Sequence, residues 1–549
     1  MATVSAHVAH AIADHISDVF GLMGNGNAYF LDAIEQQTEA RFTAVRHEQG
    51  SVLAADAYYR ASGRIAAATT TYGPGFTNTL TALAEAAQAQ TPLVLVVGDA
   101  PTTGHRPWDV DQTGLATAVG VQTFTVGEAD AAATTIHAIE RALHHRTPVV
   151  LAIPYDLAAR EAGALPEATE VRHSKLIAPT GPAAEAVLDE IASALGGAKH
   201  PLLLAGRGAW LSGAGEALGA LADATGALTA STALGRGVFP AAEFDLGVTG
   251  GFGAPGAMEL FHQADVVVVF GAGLNQFTMR FGELLATETR VFQVDIKTTP
   301  THARVDGYLL ADARLAAEAL IERMASETVH TPWRERVDVA SAKRYDLGSE
   351  FGPDGRLDPR AAAARLAELL PQDRVVVSDG GHFIGWANMY WPVASPDRMI
   401  MVGTAFQTIG IGWPSVVGAA LARPEQTIVL TSGDGGGLMA LADLESAVRV
   451  AGGQGMAVVW NDAAYGAEIN LYGIKGLDKG PMLIPEVNFA ALAEAVGAEG
   501  VIARSLADLE RVGQWANEDA TSRRFLLVDL RICGTIISPY QEEVIRINS

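Results

Sequence analysis

The chain has 549 residues, 49% of them apolar and 18% charged, the balance of a packed globular protein rather than a disordered one, and at about 100 to 200 residues per domain it holds roughly three units. With 38 basic against 62 acidic side chains and a formal charge of −24, its field repels phosphate backbones and anionic lipid, which argues against nucleic acid and membrane surfaces as partners and leaves any anionic substrate to be drawn by local donors. The single cysteine, Cys533, excludes an internal disulfide and points to a reducing, cytoplasmic setting.

In chain order, Val8, Ile12, Ile16 and Val19 stand at helical spacing around Asp14 and Asp18, which predicts a surface helix of the mature protein rather than a signal peptide. No stretch reaches the roughly 18 to 20 uncharged apolar residues of a spanning helix, so a soluble protein is expected. Up to about residue 160, β-rich runs such as LVLVVGD (93–99) and TPVVLAIP (147–154) alternate with Ala-rich helical stretches, the pattern of a parallel α/β sheet. A polar, proline-bearing stretch from Arg160 to about Pro182 reads as a linker. The middle segment offers PLLLAG (201–206), DVVVVFGAG (265–273) and VFQVDI (291–296), a second α/β unit. Its GRGAWLSGAG (206–215) lacks the glycine spacing and the later acidic residue of a dinucleotide loop and reads as a tight turn.

A charged connection from about Arg334 to Asp358 leads into RVVVSDGG (374–381), TIVLTSGDGGG (427–437) and MAVVWND (456–462). Each of these strands ends in Gly or Asp, where a ligand at the carboxyl edge of a parallel sheet lies. The expected fold is α/β: three doubly wound parallel-sheet domains over 1–165, 183–335 and 356–549. The first and third segments have comparable patterns, as if one architecture were used twice.

The run Gly433, Asp434, Gly435, Gly436, Gly437 follows an apolar strand and precedes a helix with Leu441, Leu444, Ala447, Val448 and Ala451 on one face. Amides in such a turn approach a phosphate closely, and the central carboxylate can hold a hard cation that bridges it. Alone, the turn is an ordinary strand-to-helix connection. About 25 to 30 residues further on, WNDAAYG places Asn461 and Asp462 just after the next strand.

This pairing resembles the signature of thiamine-diphosphate enzymes of the acetolactate synthase, pyruvate oxidase and benzoylformate decarboxylase group, in which both elements ligate one Mg2+ bound to diphosphate. The resemblance implies metal ligation by Asp434, by one residue of the pair and by the carbonyl of Ala464. Aligning the strand favours Asp462, and counting from Asp434 favours Asn461; the strand is the better anchor, because the loop AGGQG (451–455) readily accepts an extra residue. VRHEQGSVLAADAYYRASG (45–63) resembles the cofactor-activating segment and places its glutamate at Glu48, which in the family hydrogen-bonds the aminopyrimidine and makes its exocyclic nitrogen basic. TTTYGPGFTNTLTALAEA (69–86) supplies Gly73, Pro74, Gly75 and Asn78 around the pyrimidine. GTAFQTIGIGWPSVVGAALA (403–422) contains Gln407 and the wedge that bends the cofactor, Ile409. The resemblance also implies cofactor contacts from His382, Gly433, Gly435, Gly436 and Tyr465.

On the substrate side it implies Asn25, Gln112 and Glu468. Gln112 matches a position where carboligating relatives keep Gln, and Glu468 one where pyruvate decarboxylases use a carboxylate for proton transfer, so the two pull in opposite directions. His105 lies in the nearby loop TTGHRPWD (102–109). Tyr72 and Trp413 replace smaller family residues, which leaves the substrate open. The function implied is a thiamine-diphosphate and Mg2+ dependent 2-oxoacid decarboxylase or carboligase, a lyase or transferase working as a homodimer or homotetramer, with Glu48 and Asp434 of different subunits meeting at one cofactor. A carbon-carbon hydrolase of diketones and a noncatalytic cofactor-binding relative are the alternatives.

Overall fold

The computed structural model describes residues 2–324 and 333–548; the expected outer bounds at 1 and 549, and residues 325–332 of the expected central unit, lie outside the described residues. β1 (Ala2–Thr3) leads into six parallel strands: β2 (Asp18–Gly21), β3 (Arg41–Ala44), β4 (Ala67–Thr70), β5 (Leu93–Asp99), β6 (Gln122–Thr125) and β7 (Pro148–Pro154). β8 (Glu161–Gly163) then returns to pair antiparallel with β1. The parallel sheet has the order β3-β2-β4-β5-β7-β6. Its central strands are apolar and buried almost throughout, as strands covered by helices on both faces must be.

The middle sheet takes β9 (Pro201–Ala205), β10 (Leu228–Ser231), β11 (Asp245–Val248), β12 (Val266–Phe270), β13 (Arg290–Asp295) and β14 (Gly307–Leu310) in the order β11-β10-β9-β12-β13-β14. The third takes β15 (Arg374–Ser378), β16 (Met399–Met401), β17 (Thr427–Gly433), β18 (Gly455–Asn461), β19 (Glu499–Ala503) and β20 (Leu526–Arg531) in the order β16-β15-β17-β18-β20-β19. The first and third sheets therefore share one winding, and the middle sheet has the doubly wound order of dinucleotide-binding folds. There the turn after β9 serves close packing: Gly208 N donates to Gly271 O at 2.8 Å, and a Cβ on Gly206 would lie 2.5 Å from that of Ala272.

Two expectations need correction. The amino-terminal helix is Val4–Ala13 and is buried along most of its length rather than lying on the surface. Helices Ala28–Gln37 and Ala131–His145 cover it, while Val19 belongs to β2. The helix expected after the glycine run starts inside it, at Asp434–Met439, and breaks before Leu444–Ala451. Among the described residues no helix is long and apolar enough to cross a membrane.

The first and third domains pack through small residues. Helices Glu48–Ser62 and Gly412–Ala422 lie so close that a Cβ on Gly418 would sit 1.9 Å from the carbonyl oxygen of Ala54. A buried ion network reinforces the contact. Arg60 pairs with Asp56 at 2.8 Å and Glu85 at 3.0 Å and donates to the carbonyl of Met401. Glu85 in turn accepts the amides of Gly403 at 3.1 Å and Phe406 at 2.7 Å. A first-domain helix thus holds the third-domain segment that carries Gln407 and Ile409.

Candidate active site

Three adjacent strands of the third sheet, β15, β17 and β18, end in buried polar residues: Asp379, Asp434 and the pair Asn461, Asp462. Asp434 Oδ1 accepts the amide of Gly435 at 2.9 Å, and its Oδ2 is buried without a partner. Burial and the nearby Asp462 carboxylate push its carboxyl up to about 7. Asp462 Oδ2 lies 2.9 Å from His382 Nε2, and its Oδ1 is likewise buried and unpartnered. Burial works against the His382 imidazolium, but the Asp462 carboxylate and the charges of Asp434 and Glu468 outweigh it and raise its pKa. Ala463 has φ 60°, in the left-handed region, and turns the chain so that no donor among the described residues reaches the carbonyl of Ala464.

These groups suit a divalent cation: two carboxylate oxygens left unsatisfied at low dielectric, beside a free carbonyl, are the hard donors that such an ion takes. Among the described residues no group of three or more His, Cys, Asp and Glu side chains gathers into a metal cage of its own. Asn461 turns away from the pair. Its amide donates to Asp529 at 2.9 Å and to the carbonyl of Val487 at 3.2 Å, although its own oxygen has no partner. Neighbouring residues of a strand face opposite sides, which separates Asn461 from Asp462.

The glycine run is required by contact. A Cβ on Gly433 would lie 2.9 Å from the Phe383 ring, and one on Gly435 would lie 2.6 Å from Tyr465. Gly436 packs against Asp379 and Gly410. Asp379 is fully buried, accepts the Gly380 amide at 2.8 Å and the Ser432 hydroxyl at 3.0 Å, and is pushed up to about 6 by burial. Gln407 is exposed with φ 59°, a strained conformation for its type. Ile409 is half-buried, with its Cγ2 against Gly380.

At the carboxyl edge of the first sheet, Glu48 opens the helix Glu48–Ser62, and its Oε2 accepts from Asn78 Nδ2 at 3.0 Å. Gly75 lies beside Oε1. Gly73, at φ 61°, precedes Pro74, which starts a short helix. The Gly73 amide donates to Gln112 Oε1 at 2.7 Å, and Gln112 Nε2 donates to the carbonyl of Gly98 at 2.9 Å. Gln112 is therefore buried and occupied at both ends. Asn25 is exposed and donates to the Tyr72 hydroxyl at 3.0 Å. Glu468 and His105 are exposed.

The chain thus gathers Asp434, Asp462, His382 and Tyr465 at one place and Glu48, Gly73, Gly75, Asn78 and Gln112 at another. No hydrogen bond or ion pair among the described residues joins Glu48 to the carboxylate pair. Sequence reasoning missed Glu85, Asp379 and Arg106. A carboxylate inside the otherwise apolar LTALAEAAQ signals Glu85. Arg106, whose guanidinium lies 4.2 Å over the Tyr72 ring and 4.8 Å over that of Tyr155, has no local signal.

Comparison with known proteins accords with this layout. Residues 2–124 match the N-terminal TPP binding domain of thiamine pyrophosphate enzymes, 188–320 their central domain and 379–530 their C-terminal TPP binding domain. The chain is 27% identical to the acetolactate synthase isozyme 3 large subunit of Escherichia coli (strain K12), over 96% of this chain and 94% of that one. It is 28% identical to the sulfoacetaldehyde acetyltransferase of Castellaniella defragrans, over 93% and 89%, and 26% identical to the acetolactate synthase large subunit of Haemophilus influenzae, over 94% and 91%. With all three domains present in order, in three parallel-sheet units, the chain belongs to the thiamine pyrophosphate enzyme family.

Proposed function

We propose that this is a cytoplasmic enzyme that uses thiamine diphosphate and Mg2+ to break or form the bond beside the carbonyl of a 2-oxoacid, as a decarboxylase or carboligase. The observation that carries this reading is the buried pair Asp434 and Asp462, each with one unpartnered oxygen on neighbouring loops of one sheet edge. Asp434, Asp462 and the carbonyl of Ala464 would hold the cation, whose charge would offset the repulsion between the two carboxylates. Asn461 supports that loop through Asp529 rather than ligating. Gly433, Gly435, Gly436, Tyr465 and His382 border the diphosphate, and Gly73, Pro74, Asn78, Gln407 and Ile409 border the organic rings.

Bound there, the cofactor supplies a carbon nucleophile for the substrate carbonyl and an electron sink for loss of carbon dioxide. With Oε2 fixed by Asn78, Glu48 holds and releases a proton at Oε1. Gln112 is a positioning residue, because both ends of its amide are engaged and its oxygen fixes the Gly73 amide. Asn25 and Glu468, both exposed, face the substrate. The names of the relatives, acetolactate synthase and sulfoacetaldehyde acetyltransferase, support joining or transfer of an acyl unit over its simple release.

A second copy completes the site. Large apolar side chains stand exposed on both domains, Met23 and Trp108 on the first, Phe406, Met439 and Leu483 on the third, and a partner that sets its Glu48 against this chain's Asp434 covers them. The assembly is a homodimer or a pair of dimers. A panel of 2-oxoacids incubated with thiamine diphosphate and Mg2+, with carbon dioxide and ligated products followed together, tests the reading. Turnover that requires both additions is expected; cleavage of a cyclic diketone with no 2-oxoacid turned over overturns it.

A further inference from the structure

We propose that Arg106 binds a second acid group of the substrate, a carboxylate or sulfonate set away from the reacting carbonyl. The inference rests on the reading of the first domain's carboxyl edge as substrate-facing. Three observations place a directed anion donor there. First, the guanidinium is fixed by aromatic rings: its Cζ lies 4.2 Å from the centre of Tyr72 and 4.8 Å from that of Tyr155, two rings that meet edge to face with centres 5.9 Å apart, with Trp108 at 5.9 Å, and the Tyr72 hydroxyl holds Asn25. Second, it is oriented along one edge. Nε and Nη2 both donate to Asp109 Oδ1, at 2.9 and 2.6 Å, while Asp109 Oδ2 accepts the Arg106 amide at 2.8 Å. Nη2 reaches the carbonyl of Asp99 only at 3.4 Å. Nη1 donates to no atom of the described residues, and the side chain keeps 16% of its area exposed. A guanidinium set in the angle between two aromatic rings and clamped along its Nε edge is held in one orientation and keeps Nη1 as its uncommitted donor, a preorganised arrangement for an acid group. Third, the loop lies over the cofactor-side segment: a Cβ on Gly73 would meet the carbonyl of Trp108 at 3.2 Å.

The other carboxylates nearby have tasks of their own. Asp99 accepts the Ala100 amide and Gln112 Nε2, and burial pushes its carboxyl up, toward the neutral form. Asp111 caps the helix Gln112–Ala118 by accepting the Gly114 amide at 2.8 Å. In a chain of formal charge −24, a local donor is what an anionic substrate needs against the global field. The acid read by Arg106 is not the one lost as carbon dioxide, since a cation holding that carboxylate would stabilise the ground state against its departure. It belongs to the far end of the donor or to an acceptor aldehyde.

The test measures kcat/KM for matched pairs of substrates on the holoenzyme and on its Arg106→Gln and Arg106→Lys variants. One member of each pair ends in a carboxylate or sulfonate, the other in an amide or methyl. The wild type should prefer the acid members, and Arg106→Gln should cut the acid-to-neutral ratio on the order of 10- to 100-fold, mainly through KM. Arg106→Lys should recover part of that ratio, because it keeps the charge and loses the planar fork. Carboxylate and sulfonate series, run for donors and acceptors separately, identify which acid is read. Equal losses on acid and neutral members, or no acid preference in the wild type, overturn the proposal. Calorimetric titration of the holoenzyme with succinate and with 2-hydroxyethanesulfonate separates it from the reaction assigned above. If no 2-oxoacid is turned over but one of these probes binds the wild type and not Arg106→Gln, the reaction falls and the acid site stands; if neither probe binds the wild type, the acid site falls.

Discussion

The first and third domains are wound alike, yet their carboxyl edges are finished in opposite ways. At the first edge buried polar groups are paired: Gln112 holds Gly73 and Gly98, and Asn27 holds Thr69 and Leu22. None of the unpartnered buried polar atoms described in the first domain lies on its edge loops. At the third edge Asp434, Asn461 and Asp462 each leave an oxygen unsatisfied. Topology therefore decides where loops gather, and the pairing of their polar atoms decides what the loops are ready to accept. Among the described residues the first edge keeps its buried polar atoms paired, and the third keeps three buried oxygens without a partner, an arrangement that costs stability unless a cation or a donor meets them.

The comparison is broken most severely at Asp434. Asp434→Ala should abolish Mg2+-dependent binding of thiamine diphosphate, a loss of at least about 100-fold in calorimetry, since even supporting residues of metal sites cost about 10- to 100-fold; unchanged affinity removes the cation from the third edge. Glu48→Gln tests the other edge. It should retain cofactor binding while turnover and exchange of the thiazolium proton fall by about 100-fold or more. Mixed with Asp434→Ala, it should regain part of the activity, because reassorted dimers hold one intact site. Confirmed heterodimers that stay inactive place both edges on one chain.

The pair after β18 sharpens the comparison within the third edge. Asp462→Ala should weaken cofactor binding more than Asn461→Ala, which should act chiefly on stability by about 1 to 3 kcal/mol through the loss of its bond to Asp529. The reverse ranking moves the ligand to Asn461.

The smallest effect is a pH dependence at Asp379. Its carboxyl is raised to about 6 in the folded chain, above the roughly 3.9 of an unfolded one, so the folded state binds its proton more tightly. The stability it contributes is complete below about pH 4 and is lost as pH rises through about 6. Asp379→Asn, which can still accept from Gly380 and meet the Ser432 hydroxyl, should flatten the fall in melting temperature of the cofactor-free protein between pH 4.5 and 7.5 by the equivalent of about 1 to 3 kcal/mol. An unaltered slope assigns the dependence elsewhere.

The alternation of apolar runs with Ala-rich stretches was enough to read three parallel α/β units, and the short motifs around Glu48, Gly73–Gly75, Asp434 and Asp462 were enough to reach the family, because strand burial and close backbone approach impose residue types locally. Length and charge were equally legible, and with them the need for local donors. The amino-terminal helix was misread because periodicity reports how much of a helix is apolar and not what will cover it. Only the tertiary structure turned Asn461 toward Asp529 and Asp462 toward His382, engaged both ends of the Gln112 amide, and set Glu85 under the Gly403–Phe406 backbone. It likewise set Arg106 in the angle between Tyr72 and Tyr155. Each of these depends on partners tens to hundreds of residues away, or on which side of a strand a residue faces once its register is set, and that information exists only after the sheets have paired and the domains have packed.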